Sequence, residues 1–202
     1  MIVMIICNYF TILHIAACVC CLWFVPGWAY KVSTFLACLY LLPVACTRIA
    51  LALHPLRHEK VKIYSTDHRV WWFTFCTQNL FLRFPFLEEA LRCVPALYSL
   101  WLRLWGSKIG KLVYWTPGTV VVDRSFLRIG DHVCFGLGTR LSPHVHVDDE
   151  LWLSPISIED DAVTGAYSLV GPGTVLKKGE KTRACFISPP FSVWQGGRRI
   201  SK

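Results

Sequence analysis

Ile129-Gly-Asp-His-Val-Cys-Phe135-Gly-Leu-Gly-Thr-Arg-Leu141 and, after a break, Ile158-Glu-Asp-Asp-Ala-Val-Thr164-Gly-Ala-Tyr-Ser-Leu-Val170-Gly-Pro-Gly-Thr-Val-Leu176 share a period of six. Ile129, Phe135, Leu141 and Val147 mark the first series, and Ile158, Thr164, Val170, Leu176 and Thr182 mark the second. Gly130, Gly136, Ser142, Gly165 and Gly171 each follow a mark, and Ile109, Trp115 and Val121 keep the same beat upstream. A helix repeats every 3.6 residues and an ordinary strand every two, so neither explains this pattern. A parallel β-helix does: each six-residue unit gives a short strand and a corner, the marked side chain points inward, and a small residue eases the corner. With three units per turn, the stretch from Ile109 to Thr182 supplies about four coils.

The rest of the chain is unusually apolar. Of 202 residues, 54% are hydrophobic and only 17% charged, and the mean hydropathy is +0.44. That is too apolar for a purely soluble globule of this length, which points to a membrane. The net charge of +8 suits an anionic bilayer or a phosphate-bearing small molecule. It comes without a basic run or recognition motif, which argues against nucleic acid.

Ile2 to Val25 carries no charged side chain and is long enough to cross a hydrocarbon core as a helix. Pro26, Gly27 and Trp28 mark a turn, and a second run, Val32 to Leu53, contains Pro43 and Arg48. The expected element is a transmembrane hairpin over residues 1–56. Arg57, Lys60, Lys62 and Arg69 follow it, against Lys31 alone in the turn, which places the C-terminal domain on the cytoplasmic side. The rival reading, a cleaved leader, lacks a cation before its apolar core. Asn8, His14 and Arg48 are either functional or merely bonded to neighbours and interface.

Residues 57–108 read as a helical linker cut by Pro85 and Pro95. Two readings are open: interfacial helices that set Trp71, Trp72, Trp101 and Trp105 at headgroup depth, or a collar packed on the first coil. The ten cysteines show no recurring spacing, so they read as small apolar fillers, with neither a disulfide framework nor a metal site expected.

Between Leu141 and Ile158 the beat is interrupted by a segment holding His144, His146, Asp148, Asp149 and Glu150. Insertions into a solenoid project from its stacked core, where functional groups are commonly placed. Imidazole accepts a proton near neutral pH, and a neighbouring carboxylate fixes its tautomer. The plain alternative is a solvated polar loop.

The two quoted runs, the connector Asp123-Arg-Ser-Phe-Leu-Arg-Ile129 before the first, and the tail Pro189-Pro-Phe-Ser-Val-Trp-Gln-Gly-Gly-Arg198 together resemble the hexapeptide-repeat acyltransferases. The resemblance spans Ile109 to Ile200. It implies a mainly β fold, a left-handed parallel β-helix, here preceded by the α-helical membrane hairpin and interfacial helices. It also implies a homotrimer with acetyl-CoA or another acyl-CoA lying between subunits. The position after Arg-Leu-x-x falls on His144, which would deprotonate a hydroxyl or amine of a sugar or lipid-linked acceptor. His146 is the reserve base, and Asp148 or Asp149 the expected orienting acid. Gly165, Ala166 and Ser168 match a segment whose backbone faces pantetheine, and Lys177, Lys178 and Arg198 are candidate partners of the CoA phosphates. Glu159, Thr164 and the Gly-Gly-Arg of the tail depart from the family's pattern. The combined expectation is an acyltransferase of residues 109–202 anchored in the inner (cytoplasmic) membrane and facing the cytoplasm. A non-enzymatic scaffold of a membrane complex is the alternative, and a γ-type carbonic anhydrase is disfavoured by the histidine spacing.

Overall fold

A computed structural model describes residues 2–56 and 60–200; Arg57, one of the cations that flank the apolar segment, lies outside the described residues. The chain forms two units, residues 1–56 with 64–80 and residues 57–63 with 81–202.

In the first unit, α1 (Ile2–Asn8) and α2 (Phe10–Phe24) run up to a turn at Val25 to Gly27, and α3 (Trp28–Leu53) returns. Gly27 takes φ +79°, a conformation that a β-carbon would strain, so the reversal falls there. At 26 residues α3 is long and apolar enough to cross a membrane, whereas α2 has 15. The second apolar run, broken by Pro43 in sequence, thus forms the longer helix. Asn8 accepts from the Trp72 indole at 3.2 Å, and Thr47 shares a buried 2.7 Å hydrogen bond with Thr77, so much of α4 (Thr66–Arg83) packs with the hairpin rather than with a separate linker.

The second unit is built on a three-sided stack of parallel strands. One side holds β2 (Lys108–Ile109), β5 (Leu127–Ile129), β10 (Ile156–Ile158), β13 (Val175–Leu176) and β14 (Val193–Gln195). The second holds β3 (Tyr114–Trp115), β6 (Cys134–Phe135) and β11 (Val163–Thr164), and the third β4 (Val120–Val121), β7 (Arg140–Leu141) and β12 (Leu169–Val170). The chain visits the sides in rotation, and the marked residues stack in register: Ile109 on Ile129 on Ile158 on Leu176, Trp115 on Phe135 on Thr164, Val121 on Leu141 on Val170. Trp115 and Phe135 lie face to face with centroids 4.5 Å apart, which adds about 0.5–1.5 kcal/mol to their burial. Thr164, the polar member of an apolar column, has its hydroxyl 3.1 Å from that of Thr139 and accepts from the Gly136 N–H, so its burial leaves no unpaired polar atom.

An open stack must be capped at both ends. α5 (Phe86–Arg92) and α6 (Leu97–Leu104) close the first coil: Tyr98, Trp101, Leu102 and Trp105 are buried, and the Trp115 indole donates to Ser99 Oγ at 2.9 Å. Trp101 and Trp105 therefore belong to a packed collar and not to a headgroup layer, and Trp71 is buried as well. At the far end, Phe186 meets Trp194 edge to face, and β14 turns through Gly196 and Gly197 into β15 (Arg198–Arg199).

The beat fails at one corner only, between the third side and the first. From Val121 to Ile129 the step is eight residues instead of six, and from Leu141 to Ile158 it is 17. The longer insertion forms a hairpin of β8 (His144–Val147) and β9 (Glu150–Leu153), joined by β1 (Lys60–Lys62) as a third antiparallel strand. Val147, expected as an inward mark, pairs with Glu150 in this hairpin and is only half-buried. Extra residues had to leave the stack, and period-two pairing replaced the six-residue period as soon as they did.

Candidate active site

Two insertions at one corner, in successive coils, bring their first residues together. Val121 stacks on Leu141, and the Val122 N–H donates to the Leu141 carbonyl at 3.0 Å. Asp123 then lies two positions after one mark and His144 three after the next, and His144 Nδ1–H donates to Asp123 Oδ2. The Asp123 side chain is 1% exposed and that of His144 15%. With the proton held on Nδ1, the imidazole lone pair sits on Nε2, the tautomer a general base requires.

Burial acts first on His144 and pulls its pKa down; the charge and hydrogen bond of Asp123 push it up and prevail, against a smaller lowering by Arg140. His144 is thus more basic than an ordinary imidazole. His146 lies two positions further along β8, on the same face, with its ring 6.2 Å from that of His144. Its pKa is lowered, by burial and then by the nearby His144. The two imidazoles are thus shifted in opposite directions, His144 up and His146 down.

Asp148 does not orient the base. It forms, with Asp149, the exposed two-residue turn between β8 and β9, where its φ of +50° meets the demand of a tight hairpin. His144 is four residues away along an extended strand, roughly 13 Å. The acid at the site, Asp123, comes instead from the connector that precedes the first quoted run.

Asp123 is itself held by its neighbour. Arg124, fully buried, donates from Nε to Glu88 Oε1 of α5 at 2.6 Å, with a terminal nitrogen 2.6 Å from the same oxygen, and stands over the rings of Phe81, Trp101 and Trp105. Glu88 is also 3.4 Å from Arg92 and from the Tyr98 hydroxyl. A buried ion pair inside an aromatic box fixes the backbone of the corner that presents Asp123.

The expected cofactor residues lie at the other two corners. Gly165, Ala166 and Ser168 follow β11. Ser168 is buried with its hydroxyl donating to the Gly165 carbonyl at 2.7 Å, and the Gly165 N–H is taken by Thr182 Oγ1 at 2.9 Å. A β-carbon on Gly165 would come within 2.1 Å of the Arg183 carbonyl oxygen. Gly165 and Ser168 therefore serve coil stacking, which leaves half-buried Ala166 and exposed Tyr167 as the surface of that corner. Lys177 and Lys178 follow β13. Lys177 Nζ pairs with Glu159 at 2.8 Å and, as the main cause, holds that carboxyl below its usual range; Lys178 is well exposed. Glu159 thus fills a glycine position in order to bind Lys177. Arg198 is exposed on β15, whose turn is tied back by the Gly197 N–H to the Glu180 carboxylate at 3.1 Å. A cavity of about 840 Å³ lined by Val94, Leu112, Tyr114 and Lys111 among others contains neither Asp123 nor His144.

No protein-family model matches the chain, and no curated protein matches it either. Among solved structures, it is similar to a hexapeptide-repeat acetyltransferase of Vibrio cholerae O1 biovar eltor complexed with acetyl coenzyme A, with 16% identity, 62% of this chain and 87% of that chain covered, and a TM-score of 0.39. A galactoside acetyltransferase in complex with coenzyme A gives 16% identity, 60% and 79% coverage and a TM-score of 0.37. Soybean serine acetyltransferase complexed with serine gives 18%, 78%, 68% and 0.29. Scores this low lend no weight to the reading below, which stands on the site's own geometry.

Proposed function

We propose that this protein is a membrane-anchored acyltransferase that moves an acyl group, acetyl in the simplest case, from acyl-CoA to a hydroxyl or amine of a sugar or lipid-linked acceptor. The observation that carries the proposal is the pairing of His144 Nδ1–H with the buried Asp123 carboxylate at the inserted corner of the coil. His144 Nε2 takes the acceptor's proton as the acceptor oxygen or nitrogen bonds to the thioester carbonyl carbon. The carbon–sulfur bond then breaks, and the CoA thiolate receives that proton from the imidazolium. Asp123 keeps the ring in the productive tautomer throughout.

Base and proposed cofactor residues occupy different corners of one chain, so a complete site calls for the edge of a second copy. A homotrimer of left-handed coils, each supplying one wall, meets that need. Lys178 and Arg198 are the proposed cofactor-binding positions whose exposure favours the role, and Ala166 is half-buried. Anchoring is supported by the tip of the hairpin, where Trp23, Phe24, Trp28 and Tyr30 are all more than two-thirds exposed, as aromatic residues at a bilayer interface are. The inner membrane with the coil toward the cytoplasm remains the proposed location, and an acceptor borne by that membrane the proposed substrate.

The test is acetyl-CoA hydrolysis and acceptor acylation by the full chain in detergent, compared with His144→Ala. Acetyl-CoA binding retained with turnover lost supports the reading. Turnover unaffected in the variant, or no binding of any acyl-CoA, moves the protein to the scaffold class.

A further inference from the structure

The helical hairpin contains a constellation that acyl transfer does not use. His14 and Cys18 are four residues apart on α2 and share one face, and Cys38 is presented by α3. One donor atom from each of the three lies within 4.8 Å of the others. Cys18 Sγ is 3.6 Å from Cys38 Sγ, against about 3.8 Å for two thiolates on one tetrahedral zinc. His14 is 2% exposed, and its Nε2–H donates to the Cys38 carbonyl at 3.0 Å. That bond leaves Nδ1 as the lone-pair nitrogen, and Nδ1 is buried with no hydrogen-bond partner. A buried acceptor without a donor demands an explanation. A ring whose other N–H is fixed on a backbone carbonyl is how ligating histidines are ordinarily oriented.

We infer that His14, Cys18 and Cys38 form a zinc site that clasps α2 to α3. Binding proceeds by exchange, with each ligating thiol releasing its proton to water as its sulfur bonds to Zn²⁺. Two thiolates balance the dication, which an apolar setting favours over any uncompensated charge. Soft sulfur with one imidazole selects zinc over magnesium or calcium. No redox partner is needed, since zinc keeps its oxidation state.

The experiment uses the full-length protein in detergent, purified under reducing conditions. Elemental analysis after dialysis is expected to find one zinc per chain in the wild type and in Cys93→Ala, an exposed cysteine of the other unit, and none in Cys18→Ala/Cys38→Ala. Cobalt loaded in place of zinc is expected to give the intense visible bands of a tetrahedral thiolate complex in the wild type only. A second measurement, independent of whether the double variant folds, is made on the wild type, whose melting temperature is expected to fall when a chelator strips the metal and to recover with zinc alone. Zinc no higher in the wild type than in the double variant, a melting temperature indifferent to the chelator, or a Cys18–Cys38 disulfide found by mass spectrometry in the reduced preparation would each overturn the site.

Discussion

Asp123 and His144 are 21 residues apart in the chain, yet they occupy the same corner of successive coils and are joined through His144 Nδ1. Removing the imidazole with His144→Ala is expected to lower kcat by about 10²–10⁴-fold, the usual contribution of a positioned general base. Acetyl-CoA affinity, measured by calorimetry, stays within about twofold, because no proposed cofactor contact is lost.

Asp123→Asn separates orientation from packing. In the wild type the carboxylate holds His144 above its ordinary pKa, so the base is free only once pH has risen past that raised value. Losing the negative charge lowers the pKa, and the acid limb of the kcat/KM profile is expected to move to lower pH while the plateau falls. A plateau that falls with an unmoved limb would assign Asp123 a purely structural role. The same bond stabilises the fold at acid pH, fully below the unfolded imidazole pKa, and that contribution is lost as pH rises through the folded value.

Asp148→Ala is expected to leave kcat within about twofold, since a solvated turn carboxylate roughly 13 Å from the ring contributes little through water. A loss comparable to that of Asp123→Asn, measured in the same assay, would restore the loop acid as the orienting group.

Glu88→Ala leaves Arg124 charged and buried among three aromatic rings. Breaking such a pair from one side costs about 3–5 kcal/mol, to be read as a lowered denaturation midpoint. Glu88→Leu combined with Arg124→Met, which removes both charges, is expected to recover much of that loss.

Gly165→Ala drives a methyl group into the Arg183 backbone, whereas Gly179, with φ +71° and open space around it, meets nothing. The first substitution is expected to cost about 1–3 kcal/mol as overpacking. Gly179→Ala is expected to cost about 1 kcal/mol from its left-handed conformation alone. Equal losses in thermal melts would show that the coils do not stack as closely as described.

The coil was legible because its signal is local: each mark depends only on residues six apart, and the marks from Ile109 to Thr182 stack as spacing alone demanded, Val147 excepted. Thr164 looked misplaced until Thr139, on the next side of the stack, supplied its partner. Asp123 was hidden for the opposite reason. Nothing beside it in sequence marks it as part of a site; only the stacking of Val121 on Leu141 does. The Lys-Val-Lys of β1 is too short to read as a strand, and its partner β9 lies some ninety residues on. Four tryptophans near an apolar hairpin fitted a bilayer interface by composition, and only packing shows Trp101 and Trp105 sealing the coil. The cysteines read as fillers because spacing along the chain does not bring Cys38 to His14 and Cys18; only the packing of α3 on α2 does.

Every departure from the six-residue step falls on one edge of the prism, so additions made there disturb no inward column. Loops on that edge can lengthen, shorten or change chemistry while the interior keeps its volume and register. The turn at Asp148 and Asp149 is exposed, whereas Leu151, Leu153 and Ile156 of the same insertion are fully buried, so its tip is the part that can change chemistry while the stack stays as it is.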